Sequence, residues 1–312
     1  MKMDEIITEL VKQGNIEIQQ NVDLSQITHT RTGGIYRYII YPKTEIQLRT
    51  ILKEFQQNNV KYVVVGGLTN VVFSSKSSDT VLISMTKFGN DMFLTEEHGQ
   101  PVLNVDAKYE TKAVSRFLMN NGITGFQWAE GIPGTIGGAI YMNASAYGPG
   151  IDGSLIDVTV LTPDLEIKVI SNRELQFRYR KSKIQEDGYI ILSGRFLLRY
   201  GKKWKIALRM LQFHRSRAKS QPLELPSAGS VFIPPAPYHV GAIIPKLKLK
   251  GKRIGGMEVS NKNAGFIVNV DGGTGEDYLE LVKHIEQRVN QEYGLELERE
   301  VRFFGFSHAE LK

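Results

Sequence analysis

The chain has 312 residues, of which 41% are hydrophobic and none is cysteine. This length allows two or three compact units with sizeable cores. The lack of cysteine excludes disulfides and thiolate metal sites and fits a cytoplasmic protein.

The net charge and the motif content narrow the possible partners. The formal charge of +6 favours an anionic partner, which could be a nucleic acid, an anionic membrane or a nucleotide. No stretch approaches the roughly 18 apolar residues that span a membrane, so we predict no membrane partner. The six histidines form no HExxH pattern and no pair at helical ligand spacing, so we predict no metal site.

The N-terminal part of the chain has the pattern of a β-α-β unit. Residues 1–10 mix acidic and apolar residues, which indicates an amphipathic helix and not a signal peptide. A short strand at 38–42 precedes a helix at 44–58, where apolar residues recur at helical spacing. A buried strand at 61–65 then runs directly into Gly66-Gly67.

The middle of the chain is predicted to be a second α+β unit. Short strands at 81–84 and 102–105 are followed by a helix near 111–121 and by the densest glycine segment, 122–150. Further strands are predicted near 157–161, 167–170 and 189–199.

The C-terminal third contains the clearest helix, at about 276–293, with one apolar face and Gly294 where a C-cap glycine belongs. A helix near 204–213 precedes it, and a strand near 300–304 closes the chain. The basic stretch 199–219 is typical of a solvated helix face, or alternatively of a pocket for nucleotide phosphates. It lacks nucleic-acid recognition motifs, so we predict no nucleic-acid partner.

Two glycine segments are candidates for binding phosphates. Residues 131–139 have the spacing Gly-x-x-Gly-x-x-Gly-Gly, which leaves backbone N–H groups accessible to a pyrophosphate but differs from the GxGxxG of a Rossmann turn. A pair of tight turns is the alternative interpretation. The segment 66–70 also follows a buried strand. Two such loops suit a long ligand with a pyrophosphate, such as FAD.

Five motifs, in order along the chain, closely resemble those of the UDP-N-acetylenolpyruvoylglucosamine reductases. The string EGIPGTIGGAIYMNASAYG at 130–148 resembles the FAD loop of that family. The other four are HTRTGG at 29–34, FRYRKS at 177–182, PSAGSVF at 226–232 and EREVR at 298–302. They occur in the family's order and spacing, so the resemblance covers nearly the whole chain.

The resemblance implies an α+β fold: a two-part FAD-binding domain of the vanillyl-alcohol-oxidase/p-cresol-methylhydroxylase type plus a C-terminal α+β substrate domain. We expect the FAD-binding subdomains at 1–85 and 86–205 and the substrate-binding domain at 206–299. Residues 300–312 would form a C-terminal strand that returns to the first subdomain. We also expect a monomer.

The resemblance further implies an enzyme that uses FAD, with NADPH as co-substrate, to reduce a nucleotide sugar, UDP-N-acetylglucosamine enolpyruvate, to UDP-N-acetylmuramate. Arg180 would bind the substrate carboxylate, Glu300 would help to stabilise an enol-like intermediate, and Ser230 would give a proton to C2. The residues expected to bind FAD are Gly66, Gly67, Thr69, Asn70, Gly131, Pro133, Gly134, Thr135, Gly137, Gly138 and Asn143. Those expected to bind the substrate are Tyr179, Arg217 and Lys219.

Two alternatives to the cell-wall reductase remain open. Leu68 stands where the family usually has glycine, and the turn 106–109 contains no glycine. Such changes near the cofactor are compatible with a paralogue that reduces another enol ether or nucleotide sugar. They are also compatible with a non-catalytic binding module of the same fold. The intact trio of Arg180, Ser230 and Glu300 favours an enzyme.

Overall fold

A computed structural model describes residues 3–235 and 240–312. The chain forms two compact units, each made of separate stretches. Unit 1 comprises Met1–Gln20, Tyr38–Gly67 and Thr80–Arg215, and unit 2 comprises Asn21–Arg37, Leu68–Asp79 and Ser216–Lys312. The domain boundaries expected from the sequence stay a prediction.

The described residues form α-helices of between four and nineteen residues. They are α1 Met3–Gly14, α2 Glu45–Gln57, α3 Thr111–Asn120, α4 Ile136–Tyr141, α5 Lys183–Asp187, α6 Lys203–Ser220, α7 Val240–Lys246, α8 Gly275–Tyr293 and α9 His308–Leu311.

The strands are mostly short. They are β1 Glu17–Asp23, β2 Ile35–Tyr41, β3 Tyr62–Val65, β4 Val71–Phe73, β5 Val81–Ser84, β6 Met92–Glu97, β7 Gln100–Asp106, β8 Ile123–Thr124, β9 Leu155–Leu161, β10 Ile167–Ser171, β11 Ile190–Leu197, β12 Arg199–Tyr200, β13 Ser227–Ser230, β14 Phe232–Ile233, β15 Arg253–Ile254, β16 Met257–Val259, β17 Phe266–Asn269, β18 Glu298–Arg299 and β19 Arg302–Phe304.

The first sheet of unit 1 confirms the predicted β-α-β unit. Its strand order is β1-β2-β5-β3, and both β2 and β3 run parallel to β5. Helix α2 begins at the N-cap Thr44, whose side chain accepts a hydrogen bond from the Gln47 N–H. Its residues Leu48, Ile51, Leu52 and Phe55 are buried in the core against this sheet. Gly66 and Gly67 therefore follow directly after the parallel strand β3.

The second sheet of unit 1 is antiparallel, in the order β10-β9-β11-β7-β6. Its core includes Phe126, Trp128 and Phe196, all buried, together with residues of α3. The strand predicted at 189–199 is divided, because β11 ends at Leu197 and Arg199–Tyr200 pairs separately with β8.

Unit 2 contains the antiparallel sheet β13-β17-β16-β15 and the long helix α8. Helix α8 begins with a capping box formed by Thr274 and Asp277, and Gly294 ends it with φ 64°. The C-cap prediction is therefore confirmed. Strand β19 pairs in parallel with β4, and β14 pairs with β18.

Other predicted elements also differ from the structure in their bounds. Helix α1 extends to Gly14, and the first two residues of its predicted range lie outside the described residues. Helix α6 runs on to Ser220 and not to 213, because the buried period continues through Phe213 to Arg217. The last strand excludes Glu300, which lies in the link between β18 and β19. Among the described helices, none is both long and apolar enough to cross a bilayer.

Candidate active site

The two glycine segments singled out from the sequence lie side by side in unit 1. A Cβ atom placed on Gly66 would be 2.7 Å from the Thr135 Oγ1, and one placed on Gly67 would be 3.1 Å from the Gly134 Cα. The first distance leaves no room for a side chain, and the second is very tight. The glycines therefore permit the backbones of the two loops to approach closely.

Backbone N–H groups line this approach. Among the described residues, the N–H groups of Gly66, Gly67, Gly134 and Thr135 have no hydrogen-bond acceptor within the protein. Four backbone donors on two loops in contact fit the diphosphate of FAD, because such nests of N–H groups bind anions. The family's FAD therefore has a suitable cradle in unit 1.

The following turn of the second loop uses its donors internally. The Gly137 N–H donates to the Ala107 carbonyl at 3.0 Å, and the Gly138 N–H donates to the Thr135 Oγ1 at 3.4 Å. A Cβ on Gly137 would also lie 2.9 Å from the Ala107 Cβ. Close packing thus accounts for Gly137, and the contacts predicted for Gly137 and Gly138 with the cofactor stay predictions.

The residues before this turn have the backbone conformation that glycine allows. Gly131 has φ 74° and Gly134 has φ 111°, with Pro133 exposed between them. L-residues rarely adopt such angles, so the two glycines are required for the path of the loop. Their predicted contacts with FAD, and that of Pro133, stay predictions.

An open cleft of about 460 Å³ borders the turn 106–109 in unit 1. Its lining includes Lys43, Lys87, Lys108 and Tyr109. The turn is fastened to Asn90, whose side-chain oxygen accepts from the Lys108 Nζ at 2.6 Å and whose carbonyl accepts from the Tyr109 hydroxyl at 2.7 Å. These hydrogen bonds hold in place a turn that contains no glycine.

Asp106, at the start of that turn, has a half-buried carboxyl group. Burial raises the pKa of its carboxyl above the ordinary value, although hydrogen bonds from backbone N–H groups of the segment 90–91 oppose the effect. The Asp91 N–H donates to its Oδ2 at 2.9 Å. A Cβ on Gly89 would lie 2.0 Å from the same oxygen, so Gly89 makes room for the carboxylate.

Arg180 lies in a tight turn of unit 1 that closes between Arg178 and Lys181. The N–H of each of these two residues donates to the carbonyl of the other, at 3.0 Å in both cases. Arg180 itself has φ 57°, a left-handed conformation that is uncommon outside glycine. The Tyr179 ring lies 4.9 Å from the Arg180 guanidinium carbon, so the predicted substrate residue Tyr179 stacks on the predicted carboxylate ligand.

The Arg180 guanidinium is oriented by the segment that follows α4. Its Nη1 donates to the Ser145 Oγ at 3.1 Å and lies 3.4 Å from the Asn143 carbonyl. Its Nη2 also lies 3.5 Å from the Ser145 carbonyl, so both terminal nitrogens of the guanidinium contact this segment. Sequence reasoning missed Ser145, although it stands two residues after the motif residue Asn143.

Asn143 fastens the Arg180 turn. It is buried and has φ 43°, and its Nδ2 donates to the Arg178 carbonyl at 3.1 Å. The same amide also contacts the Asp152 carboxylate at 3.4 Å and accepts from the Asp152 N–H at 3.3 Å. The side chain is therefore committed to the protein, and its predicted contact with FAD stays a prediction.

Ser230 is the last residue of β13 in unit 2 and is exposed, whereas Ser227 and Ala228 of the same strand are buried. The pairing of β13 with β17 shifts register between Ser227 and Ser230, and Gly229 has φ 81°. Ser230 is exposed at this irregularity of the strand. Within the described residues its hydroxyl has no hydrogen-bond partner, so it is available to donate a proton.

Glu300 lies beside the serine strand in the same unit. Its N–H donates to the carbonyl of Val231, the residue after Ser230, at 2.8 Å. Its own carbonyl accepts from the Asn70 Nδ2 at 3.1 Å, and one of its carboxylate oxygens is buried. The structure therefore brings together two of the three predicted catalytic residues and the predicted cofactor residue Asn70. Thr69 precedes Asn70 and is half-buried.

The N-terminal motif 29–34 borders this group. The His29 N–H donates to the Leu68 carbonyl at 3.1 Å, and its Nδ1 lies 2.7 Å from the Ser227 carbonyl. The motif is held by Asn269, whose Nδ2 donates to the Thr30 carbonyl at 3.1 Å. No spacing in the sequence marks Asn269, because its partner lies 239 residues away.

The two basic residues predicted to bind substrate lie near the C-terminal end of α6. Arg217 is buried, with 8% of its surface exposed, whereas Lys219 is exposed. Both residues belong to unit 2, the unit that also contains Ser230 and Glu300. Their predicted contacts with the substrate stay predictions.

Comparison with known proteins identifies the family. The family model described as the C-terminal domain of UDP-N-acetylenolpyruvoylglucosamine reductase matches residues 221–304, and an FAD binding domain matches residues 36–171. The UDP-N-acetylenolpyruvoylglucosamine reductase of Lactobacillus johnsonii is 39% identical, over 96% of this chain and 98% of its own length. The chain belongs to this family.

Two further comparisons agree with this assignment. The UDP-N-acetylenolpyruvoylglucosamine reductase of Lactobacillus acidophilus is 40% identical, over 95% of this chain and 97% of its own. The crystal structure of the reductase from Thermus caldophilus, at 27% identity, superposes with a TM-score of 0.75 and covers 92% of this chain and 98% of that one. The predicted family and fold class are confirmed.

Proposed function

We propose that this chain is a UDP-N-acetylenolpyruvoylglucosamine reductase. It reduces UDP-N-acetylglucosamine enolpyruvate to UDP-N-acetylmuramate for peptidoglycan synthesis, with NADPH as the reductant. The observation that carries the proposal is the similarity, over 96% of the chain, to a reductase of that name. Arg180, Ser230 and Glu300 lie in the three segments 177–182, 226–232 and 298–302 that resemble motifs of the family, which supports the roles proposed for them.

FAD, when bound, supplies a two-electron carrier between NADPH and the enolpyruvyl group. The N–H groups of Gly66, Gly67, Gly134 and Thr135 would bind its diphosphate, because they have no acceptor among the described residues. Lys108 of the neighbouring cleft adds positive charge for the same anionic ligand, whereas Lys43 and Lys87 form ion pairs with Glu17.

Arg180 would bind the carboxylate of the enolpyruvyl group. Hydride addition at C3 makes C2 electron-rich, and the conjugated carboxylate carries part of that charge. A guanidinium fixed by Ser145 and stacked on Tyr179 is positioned to stabilise the growing charge without moving. Fixed donors of this kind are more effective than mobile ones, because they cost little reorganisation during the reaction.

Ser230 would give its hydroxyl proton to C2, and Glu300 would help to stabilise the enol-like species. Ser230 is exposed, and the Glu300 N–H donates to the carbonyl of Val231, the residue after Ser230. A serine is a weak acid, so the acceptor must be a strongly basic carbon within hydrogen-bond reach.

The experiment that tests these roles separates the two half-reactions of a Ser230→Ala variant. Reduction of bound FAD by NADPH is expected to proceed at nearly the parent rate, because Ser230 has no role in that step. Reoxidation by the enolpyruvyl substrate is expected to slow by roughly 10²–10⁴-fold, the usual contribution of a general acid.

Ser220→Ala provides the matched control, since Ser220 is an exposed serine of the same unit. It should leave both half-reactions unchanged. Equal reoxidation rates for the parent and Ser230→Ala would show that another group donates the proton.

A cytoplasmic location and a monomeric state complete the proposal. The absence of cysteine fits a reducing compartment. Analytical ultracentrifugation of the FAD-loaded protein would test the monomeric state.

A further inference from the structure

Helix α6 has an unusual outward face. Its inner face buries Ile206, Met210 and Phe213 in unit 1. On the opposite face, Trp204, Leu208 and Leu211 recur at helical spacing and are 63%, 50% and 43% exposed. A surface helix normally presents polar residues outward, so an apolar stripe on this face calls for an occupant.

Basic side chains surround the stripe. No aspartate or glutamate occurs anywhere in residues 188–223. The exposed basic residues beside or just before the stripe are Arg199, Lys202, Lys203, Lys205, Arg209 and Arg215. Within the part of the chain that the structure describes, none of the six forms an ion pair with a carboxylate. We call the stripe and these six residues the α6 surface.

We propose that the α6 surface binds in the plane of an anionic lipid bilayer. Helices that lie on membranes combine Trp and Leu on one face with Lys and Arg beside them, which is the pattern found here. The apolar side chains would enter the boundary between headgroups and acyl chains, and the basic ones would contact anionic headgroups. Each basic side chain near an anionic leaflet strengthens binding about fivefold at ordinary ionic strength.

Electrostatic repulsion disfavours a second copy of the chain as the partner of the α6 surface, and an anionic bilayer avoids that repulsion. Two α6 surfaces facing each other would bring two sets of unpaired basic side chains together, and like charges at an interface oppose association. The hydroxyl of Tyr200, just before the helix, donates to the Glu96 carboxylate at 2.9 Å, so we leave Tyr200 out of the surface. The proposal departs from the sequence-based prediction of no membrane partner, because that prediction considered only segments that span a membrane and this surface would lie on the bilayer.

The test uses the FAD-loaded protein and lipid vesicles in a flotation assay. Vesicles of phosphatidylglycerol and phosphatidylcholine are compared with vesicles of phosphatidylcholine alone. The parent is expected to float with the anionic vesicles and not with the neutral ones. Binding should be lost at about 1 M salt, where the screening length falls to about 3 Å.

Tryptophan fluorescence reports on the same surface. The chain has two tryptophans, and Trp128 is already buried, with 1% exposed. A blue shift on adding anionic vesicles would therefore come from Trp204, and lipids brominated on their acyl chains should quench it. Trp204→Phe should remove the shift.

Three variants complete the design. Replacing Trp204, Leu208 and Leu211 together by serine should weaken binding more than about tenfold, since the apolar contacts with the bilayer are lost. Replacing Lys203 and Lys205 by glutamate should also abolish flotation. Ile46→Ser is the matched control, because Ile46 is 77% exposed on helix α2 and lies outside the α6 surface. Far-UV circular dichroism and flavin reduction by NADPH confirm that each variant is folded.

The proposal is overturned if the parent does not float with anionic vesicles at low salt. It is also overturned if the triple serine variant floats as well as the parent does. A parent that fails to float but sediments as a dimer, with the triple variant a monomer, would show that a second copy covers the stripe.

Discussion

Replacement of Asn143 is expected to loosen the turn that carries Arg180. The Asn143 side chain makes one hydrogen bond at 3.1 Å to the Arg178 carbonyl and two longer ones to Asp152. Its backbone has φ 43°, which asparagine tolerates better than alanine does. Asn143→Ala removes the hydrogen bonds and also introduces backbone strain.

The two effects have separable magnitudes. The lost hydrogen bonds should cost about 2 kcal/mol in the free energy of unfolding, since net contributions are about 1 kcal/mol for a good bond and less for long ones. Alanine in the left-handed region adds about 1 kcal/mol. Asn143→Ala should therefore lose about 3 kcal/mol and Asn143→Gly about 2 kcal/mol, because glycine adopts this φ without strain.

Thermal unfolding of the FAD-saturated proteins measures the difference. In a unit of this size 1 kcal/mol corresponds to about 2–4 °C in Tm, so the alanine variant should melt about 6–12 °C below the parent. The glycine variant should fall between the two. A glycine variant as stable as the parent would show that the hydrogen bonds contribute nothing. Equal Tm values for the alanine and glycine variants would refute the argument from backbone conformation.

Two further predictions concern stability in unit 2. The Lys76 ammonium, with the N–H and hydroxyl of Ser307, holds the pKa of Glu310 at about 2, below its ordinary 4.5. The resulting stabilisation is present above pH 4.5 and is lost as the pH falls through about 2. The difference in unfolding free energy between the parent and Glu310→Gln should therefore shrink over that interval. A difference that persists at the acid end would contradict this. The Tyr278 hydroxyl is buried without a hydrogen-bond partner among the described residues. Tyr278→Phe should raise the unfolding free energy by about 1 kcal/mol in urea titrations, since the desolvated hydroxyl is removed. A less stable variant would show that the hydroxyl has a partner.

Local sequence patterns predicted the five longest helices of the described residues. Helix α8 shows why: its apolar period, its Thr274 cap and its Gly294 end lie within one stretch of sequence. Helix α6 shows where such patterns fail. Its buried face includes Arg217, whereas a basic residue in a sequence is normally predicted to be exposed to solvent. The end of the helix therefore could not be placed from the apolar residues alone.

The site was predictable in its residue types and less so in its contacts. The sequence indicates both glycine loops as candidates for binding phosphates. The close approach of Gly66 to Thr135, however, joins segments about seventy residues apart, and no local pattern in either segment predicts it. Asn143 stands in the cofactor motif, and yet its amide is used to hold the Arg178 carbonyl. A motif shows which residues matter, whereas the three-dimensional structure shows what each one contacts.

The most direct test of the central claim is the visible spectrum of the purified, FAD-loaded protein under anaerobic conditions. NADPH is added first and UDP-N-acetylglucosamine enolpyruvate second. The account predicts that the flavin absorbance is bleached by NADPH and restored by the enolpyruvyl substrate in a one-to-one ratio, with UDP-N-acetylmuramate as the product. Bleaching without recovery would contradict the proposed substrate, and failure to take up FAD would contradict the cofactor cradle.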